Sequence, residues 1–401
     1  MSIFPAVRPA VTPAVRGAFE QGSGGGAASI IAGLFAQGQQ GFWLPFTDFA
    51  SLSQDSAGTL PYTALEQSVG LILDKSKGGG RGPEIVADPE MTTLVGLQNN
   101  GNLSSPFEIV PWQGASTALH VVGPRYSGTI IPGVIANTLY CVEARIWVVT
   151  GSVYFGSPTV TVGGAAVTAS SGWQEVKGYI TTSTGGFPIL SNVAGSEWYL
   201  DRISIRQVLG NHATQPTSTA RGKVSAAVVS PPTRPYYLQL DGVDDFYTCA
   251  GGGSTTGFYY SDVVRPMGGA GTRRVIWSDR SGNNGYELAI NTSNKLEFSA
   301  GNGTAITTVA STVSATVAEG KRYEVMDDGT NLSVQIDGSA PVTVARPVVT
   351  AGSSTITLYR GASTGFFNGQ ATEPIYRAGP PPSAYEREVI RTYQMQKAGM
   401  L

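Results

Sequence analysis

Between residues 83 and 208 apolar and polar positions alternate in short runs, the period of half-buried strands rather than helices. Residues 140–149 (YCVEARIWVV) are dense in β-formers, and 158–162 (PTVTV) alternate. Residues 173–181 (WQEVKGYIT) and 198–208 (WYLDRISIRQV) continue the pattern, with Asp201, Ile203 and Ile205 at every second position and so on one predicted face. Gly, Ser or Asn closely follows most of these runs, as in an antiparallel sandwich. From Tyr236 a second series begins: YYLQLDG, FYYSDVV, RRVIWSD, YELAI, KLEFSA, RYEVMDD, LSVQIDG, PVTVA and STITLYRG. Only 382–400 breaks the strand rhythm. There Ala384, Val389, Ile390 and Tyr393 fall at helical spacing after a Pro-Ser start, which predicts one terminal helix.

The fold class these patterns predict is all-β: two antiparallel β-sandwich (jelly-roll) domains after an extended N-terminal arm, with one short C-terminal helix. The arm and attachment segment takes residues 1–82, the first sandwich 83–208, a Pro-punctuated linker 209–234, and the second sandwich 235–401. A short apolar helix over 27–36 competes with the extended arm, and the Gly cluster GSGGGAAS at 22–29 favours the arm.

Composition sharpens this. Of 401 residues 52 are Gly and 24 Pro, and only 13% are charged, so the chain is turn-rich and charge-poor. Net charge is −2 with no basic stripe able to neutralise several phosphates, which argues against nucleic-acid binding. Apolar stretches such as 30–36 and 130–136 fall far short of the ~20 residues of a membrane span, so no membrane insertion is expected. The first 13 residues hold three prolines and no continuous apolar run, a poor secretory signal. Cys141 and Cys249 stand alone in the sequence. A single disulfide between them is open, and two buried thiols are the favoured reading.

Four constellations carry candidate chemistry. Asp241, Asp244 and Asp245 crowd one loop and could supply part of a Ca²⁺ shell, against the commoner reading of an Asx turn beside Gly242. Aromatic rings could bind sugar, whose C–H faces pack on flat rings: Trp112 and Tyr126 in loop-like contexts, and Tyr259 and Tyr260 in the second sandwich. Trp147 and Trp198 read as core. Paired carboxylates such as Glu287 with Glu297, or Asp327 with Asp328, are no more than any chain of this size offers a glycosidase. Phe42, Trp43, Phe46 and Phe49, within eight positions, are too many for a solvated linker. They pack either on the chain's own sandwich or on an oligomer or virion partner.

Three separated motifs, LDGVDDFY at 240–247, LSVQIDG at 332–338 and FFNGQATEPIYRAGPPPSAYEREVIRTYQ at 366–394, resemble the laminin-G-like, concanavalin-like jelly roll. That resemblance implies a returning strand followed by a short helix at the end. The segment QDSAGTLPYTALEQSVGLILDKSKG at 54–78 resembles a linker of tailed-bacteriophage virion proteins, in which it often runs on to a phrase resembling GNHATQ…AR. Here that phrase lies at 210–221, so 83–208 reads as an insertion, whose ends resemble those of carbohydrate-binding-module sandwiches. The resemblance implies a non-enzymatic virion protein, a tail fibre or receptor-binding component that meets host surface glycans. A capsid or tail decoration protein without a glycan ligand, and a polysaccharide depolymerase, remain as alternatives. Expected partners are other virion proteins and further copies of the chain, most simply a trimer, in which repeated weak sites raise avidity.

Overall fold

The computed structural model describes residues 25–36, 38–100, 107–182, 185–226, 236–268, 271–337, 339–361 and 365–401. The first 24 residues of the expected arm and residues 227–234 of the linker lie outside them. The described chain is all-β, in antiparallel sheets, with a helix near each end.

Two sandwiches form, but strand pairing draws their border differently from the sequence. The larger one packs two nine-stranded sheets. The strand Gly41–Trp43 pairs with Ile375–Ala378, while Leu52–Ser53 and Leu71–Ile72 join the sheet that also holds Ala213–Thr214 and Tyr247–Ala250. Lys223–Ala226 pairs with Tyr236–Asp241. Segments 41–72 and 213–226 therefore contribute strands to the C-terminal sandwich and are neither arm nor linker. The sticky segment is spent inside the chain: Phe42, Leu44 and Phe46 are fully buried in the main core, and Trp43 is buried under the helices. Phe49 is half-buried against the rings of Tyr62 and Tyr236 at 5.0 and 5.2 Å. Burial of these rings at home corrects their expected role as oligomer or virion contacts.

Residues 81–208 form the smaller sandwich, of five- and six-stranded sheets, as an insertion between neighbouring strands. Leu71–Ile72 leads in, Ala213–Thr214 leads out, and the two pair directly. Asp74, 1% exposed, ties the crossing. Its Oδ1 accepts the N–H groups of Trp43 and Ser76, its Oδ2 accepts the N–H of Asn211, and its own N–H donates to His212 Nδ1 at 3.0 Å. Leu71, Leu139, Cys141 and Val208 bury one another where the sandwiches meet.

Two local readings change. The sequence 158–162 turns rather than extends, because the strand Ser152–Phe155 closes on itself through Ser157 N–H to the Val160 carbonyl. In the strand Ser196–Val208 a bulge between Leu200 and Arg202 resets the alternation. Leu200, Ile203 and Ile205 face the core, and Asp201 turns outward to Arg145 at 2.9 Å.

The Gly cluster starts a helix, Gly25–Gly33, instead of extending the arm. Ala27, Ile31, Leu34 and Phe35 at that end of the chain share a small core with Val389, Ile390 and Tyr393 of the C-terminal helix Ala384–Lys397, so tertiary contact outweighs poor glycine propensity. The terminal helix opens on a capping box between Ser383 and Glu386.

Candidate functional site

The six-stranded sheet of the inserted sandwich turns one face to its core and the other outward. Leu119, Val121, Ala144, Ile146, Val148, Trp198 and Leu200 point in. The alternate positions point out, and at one end of the sheet they are aromatic. His120 lies opposite Tyr199, which lies opposite Trp147, on three adjacent strands. Trp112 ends the next strand, Phe107–Trp112, and Trp173 immediately precedes Gln174–Thr181 on the other flank. Gln113 and Gly114 close the hairpin beyond Trp112 with φ of 43° and 87°. Two successive positive φ values are what a two-residue primed turn requires, and glycine meets the second without strain.

The rings form a continuous cluster. Tyr199 is sandwiched between Trp112 at 4.0 Å and His120 at 4.2 Å, each within 2° of parallel. Trp147 meets Trp112 edge-on at 6.2 Å and Trp173 edge-on at 5.9 Å, and the Arg145 guanidinium lies 4.9 Å from the Trp173 ring. Hydrogen bonds fix the array: Trp147 Nε1–H to the Ser170 carbonyl, Trp173 Nε1–H to the Gln113 carbonyl, and Tyr199 O–H to Glu197 Oε1. His120 Nε2 lies 3.1 Å from the same Glu197 oxygen. Burial between two rings, with the Glu197 charge beside it, pushes the Tyr199 phenol up to about 12. Trp112, Trp147 and Trp173 remain half-exposed, while Tyr199 serves as the packed centre. The arrangement offers flat apolar ring surface beside fixed polar groups, Glu197 at one side and the Arg145–Asp201 pair at the other. Trp112 was visible as a candidate, although it sits on a strand rather than in a loop. Trp147 is corrected from core to outward face, and His120 and Tyr199 were missed. The signal for the three was there: each stands one position out of phase with its strand's aliphatic residues.

The other candidates do not join this cluster. Tyr126 is exposed, in a loop at φ 63°, with the Arg125 guanidinium 4.5 Å from its ring. Tyr259 and Tyr260 are fully buried, which corrects their expected ligand role. The Tyr259 hydroxyl donates to Glu324 in the small core under the helices, and that of Tyr260 donates to Asp262 in the interior of the C-terminal sandwich. Asp241, Asp244 and Asp245 do bring carboxylate oxygens within 4.8 Å of one another. They do so as a turn: Asp241 Oδ1 accepts the N–H groups of Val243 and Asp244, and Asp245 Oδ2 accepts that of Asp241. Burial pushes Asp245 up to about 6.

The paired carboxylates are bound up in salt bridges and turns. Arg273 bridges Glu287 at 2.7 Å and Glu297 at 3.1 Å. Asp327 is buried against Tyr286 and Arg346, and Asp328 closes the hairpin before Asn331. Cys141 and Cys249 are free, buried thiols, and burial pushes both up.

No family model matches the chain, and no curated protein matches it. Among solved structures, the binding domain of botulinum neurotoxin DC in complex with rat synaptotagmin II is similar at a TM-score of 0.33 and 13% identity, over 47% of this chain and 49% of that one. The botulinum neurotoxin serotype G binding domain gives 0.32 and 12% over 43% and 47%, and the DC binding domain in complex with SialylT gives 0.32 and 14% over 46% and 48%. This chain spans about half the length of each of those structures.

Proposed function

We propose that the chain is a non-catalytic glycan-binding protein and that the inserted sandwich is its recognition module. One observation carries the reading: three half-exposed tryptophans are held rigidly on the outer face of a sheet that should be polar there. A sugar ring laid on Trp112 or Trp173 gains apolar contact, and its hydroxyls meet Glu197, Asp201 and Arg145. The resemblance of 54–78 and 210–221 to tailed-phage virion proteins supports a place on a particle, as a tail fibre or receptor-binding component that meets host surface glycans. The aromatic cluster favours this over a purely structural decoration role.

The test is adsorption to host cells and to immobilised host polysaccharide. Trp112→Ala and Trp173→Ala should each weaken binding about tenfold or more, the scale on which an aromatic anchor acts. Folding, read by thermal melting, should stay within a few degrees. Undiminished binding in both variants overturns the proposal.

A further inference from the structure

Where the two sandwiches meet they enclose a cleft of about 580 Å³, within the ~300–1,000 Å³ typical of small-ligand sites. It lies away from the aromatic cluster, at the opposite end of the same outward sheet face, beside the Leu139–Cys141 contact. One wall is the outward face of three strands of the C-terminal sandwich. Thr214 pairs with Thr248 there, and Ala250 with Thr355, while Tyr247 and Cys249 between them turn into the core. The other wall brings Asn137 and Gln207 from the inserted sandwich, and Asn211 and His212 come from the connection between Val208 and Ala213. Leu71, Leu139 and Val208 add apolar surface.

The lining has a definite chemistry. Among the described residues it contains no Asp, Glu, Lys or Arg. His212 is neutral, because its Nδ1 accepts the Asp74 N–H while its Nε2 faces the Val208 carbonyl at 3.2 Å, and burial holds its pKa below the usual range. What remains is a set of hydroxyl and amide groups interleaved with aliphatic side chains. Among the described residues the side chains of Thr214, Thr355 and Gln207 make no hydrogen bond within the chain, so their donors and acceptors are open to a ligand. An ionised ligand would leave water and find no counter-charge. A neutral polyol finds matched hydrogen bonds and apolar contact for its C–H faces.

We infer that this cleft is a second binding site, independent of the aromatic cluster, and that it takes a short neutral oligosaccharide. Because its walls belong to both sandwiches, a bound saccharide also bridges them.

The test uses the full chain carrying Trp112→Ala and Trp173→Ala, with cellotetraose, maltotetraose, chitotriose and trigalacturonate as probes. Threonine-methyl NMR should show at least one neutral probe shifting Thr214, Thr248 and Thr355, and trigalacturonate leaving them unmoved. Adding Asn137→Ala and Thr355→Val should weaken that binding about tenfold, the loss of one to two hydrogen bonds. Neutral probes that leave all three methyls unmoved at millimolar concentration overturn the proposal, as does equal binding of trigalacturonate. The failures are separable: Trp112 and Trp173 indole signals left unmoved in the wild-type chain by a glycan that binds saturably sink the cluster reading alone, and unmoved threonine methyls sink this one alone.

Discussion

Asp262 is fully buried, accepts hydroxyls from Tyr260 and Tyr359, and is pushed up to about 7 by burial. Asp279 and Asp245 are pushed up to about 6 for the same reason. A carboxyl held above its unfolded value stabilises the fold while protonated, and that contribution is lost as pH rises through the folded value. His212 works the other way: held neutral, it stabilises above its ordinary value near 6.5 and loses that contribution as pH falls. Asp262→Asn should therefore gain melting temperature relative to wild type as pH is raised from 5 to 8. A difference that stays flat across that range contradicts the account. Glu84 behaves as an ordinary paired acid. Its carboxylate accepts the N–H groups of Ile85, Val86 and Ile205 and contacts Ser204 and Arg206, and these bonds hold its pKa low. Glu84→Ala should cost about 1–3 kcal/mol in denaturant unfolding, by stranding those donors. At this scale the sequence was legible only where chemistry is local. The Asp241 turn could be read from four adjacent residues, whereas Tyr259 and Tyr260 could not be told from displayed aromatics, because every side chain on their strand is buried except that of Arg265.

Among elements, strands of the C-terminal sandwich were legible because turn residues bracket alternating or wholly apolar runs. Elements with little alternation were not. The helix Gly25–Gly33 has poor intrinsic propensity and exists because the C-terminal helix gives it a partner surface. The strands Leu71–Ile72 and Ala213–Thr214 are two residues each, too short for any periodicity to register. The outward aromatics of the inserted sandwich were hidden by a different cause. In residues 140–149 a tryptophan beside valines suggests core, and the bulge at Asp201 resets the phase that would have separated the faces. The C-terminal helix, by contrast, is marked by its own start signal. Ser383→Ala removes the capping-box hydroxyl and should cost about 1 kcal/mol, measured as a shift in the urea midpoint at constant slope. No change in that midpoint would mean the box adds nothing to a helix already held by its contacts.

At the scale of the whole molecule, the insertion is a loop between paired strands, with Asp74 tying its two ends together. The motif pair at 54–78 and 210–221 is the frame of that loop, which explains why such distant phrases read as one unit. Excising residues 79–209 and joining Gly78 to Gly210 should leave a C-terminal sandwich that unfolds cooperatively, since Ala213 still meets Ile72. A fragment without a cooperative transition would show instead that the inserted sandwich is part of that fold. Low charge and abundant glycine follow from the same architecture, with many short strands, many turns, and hydroxyl rather than ionic surface between the sandwiches.

If the outward aromatic cluster meets the ligand, the chain's six tryptophans can report on it separately. Trp112, Trp147 and Trp173 belong to the cluster, and Trp43, Trp198 and Trp277 are buried elsewhere. The measurement is an indole N–H NMR titration of the intact protein with host surface polysaccharide fragments. The Trp112, Trp147 and Trp173 signals should shift together and saturably while the other three stay fixed. Saturable binding with the cluster signals unmoved would contradict it.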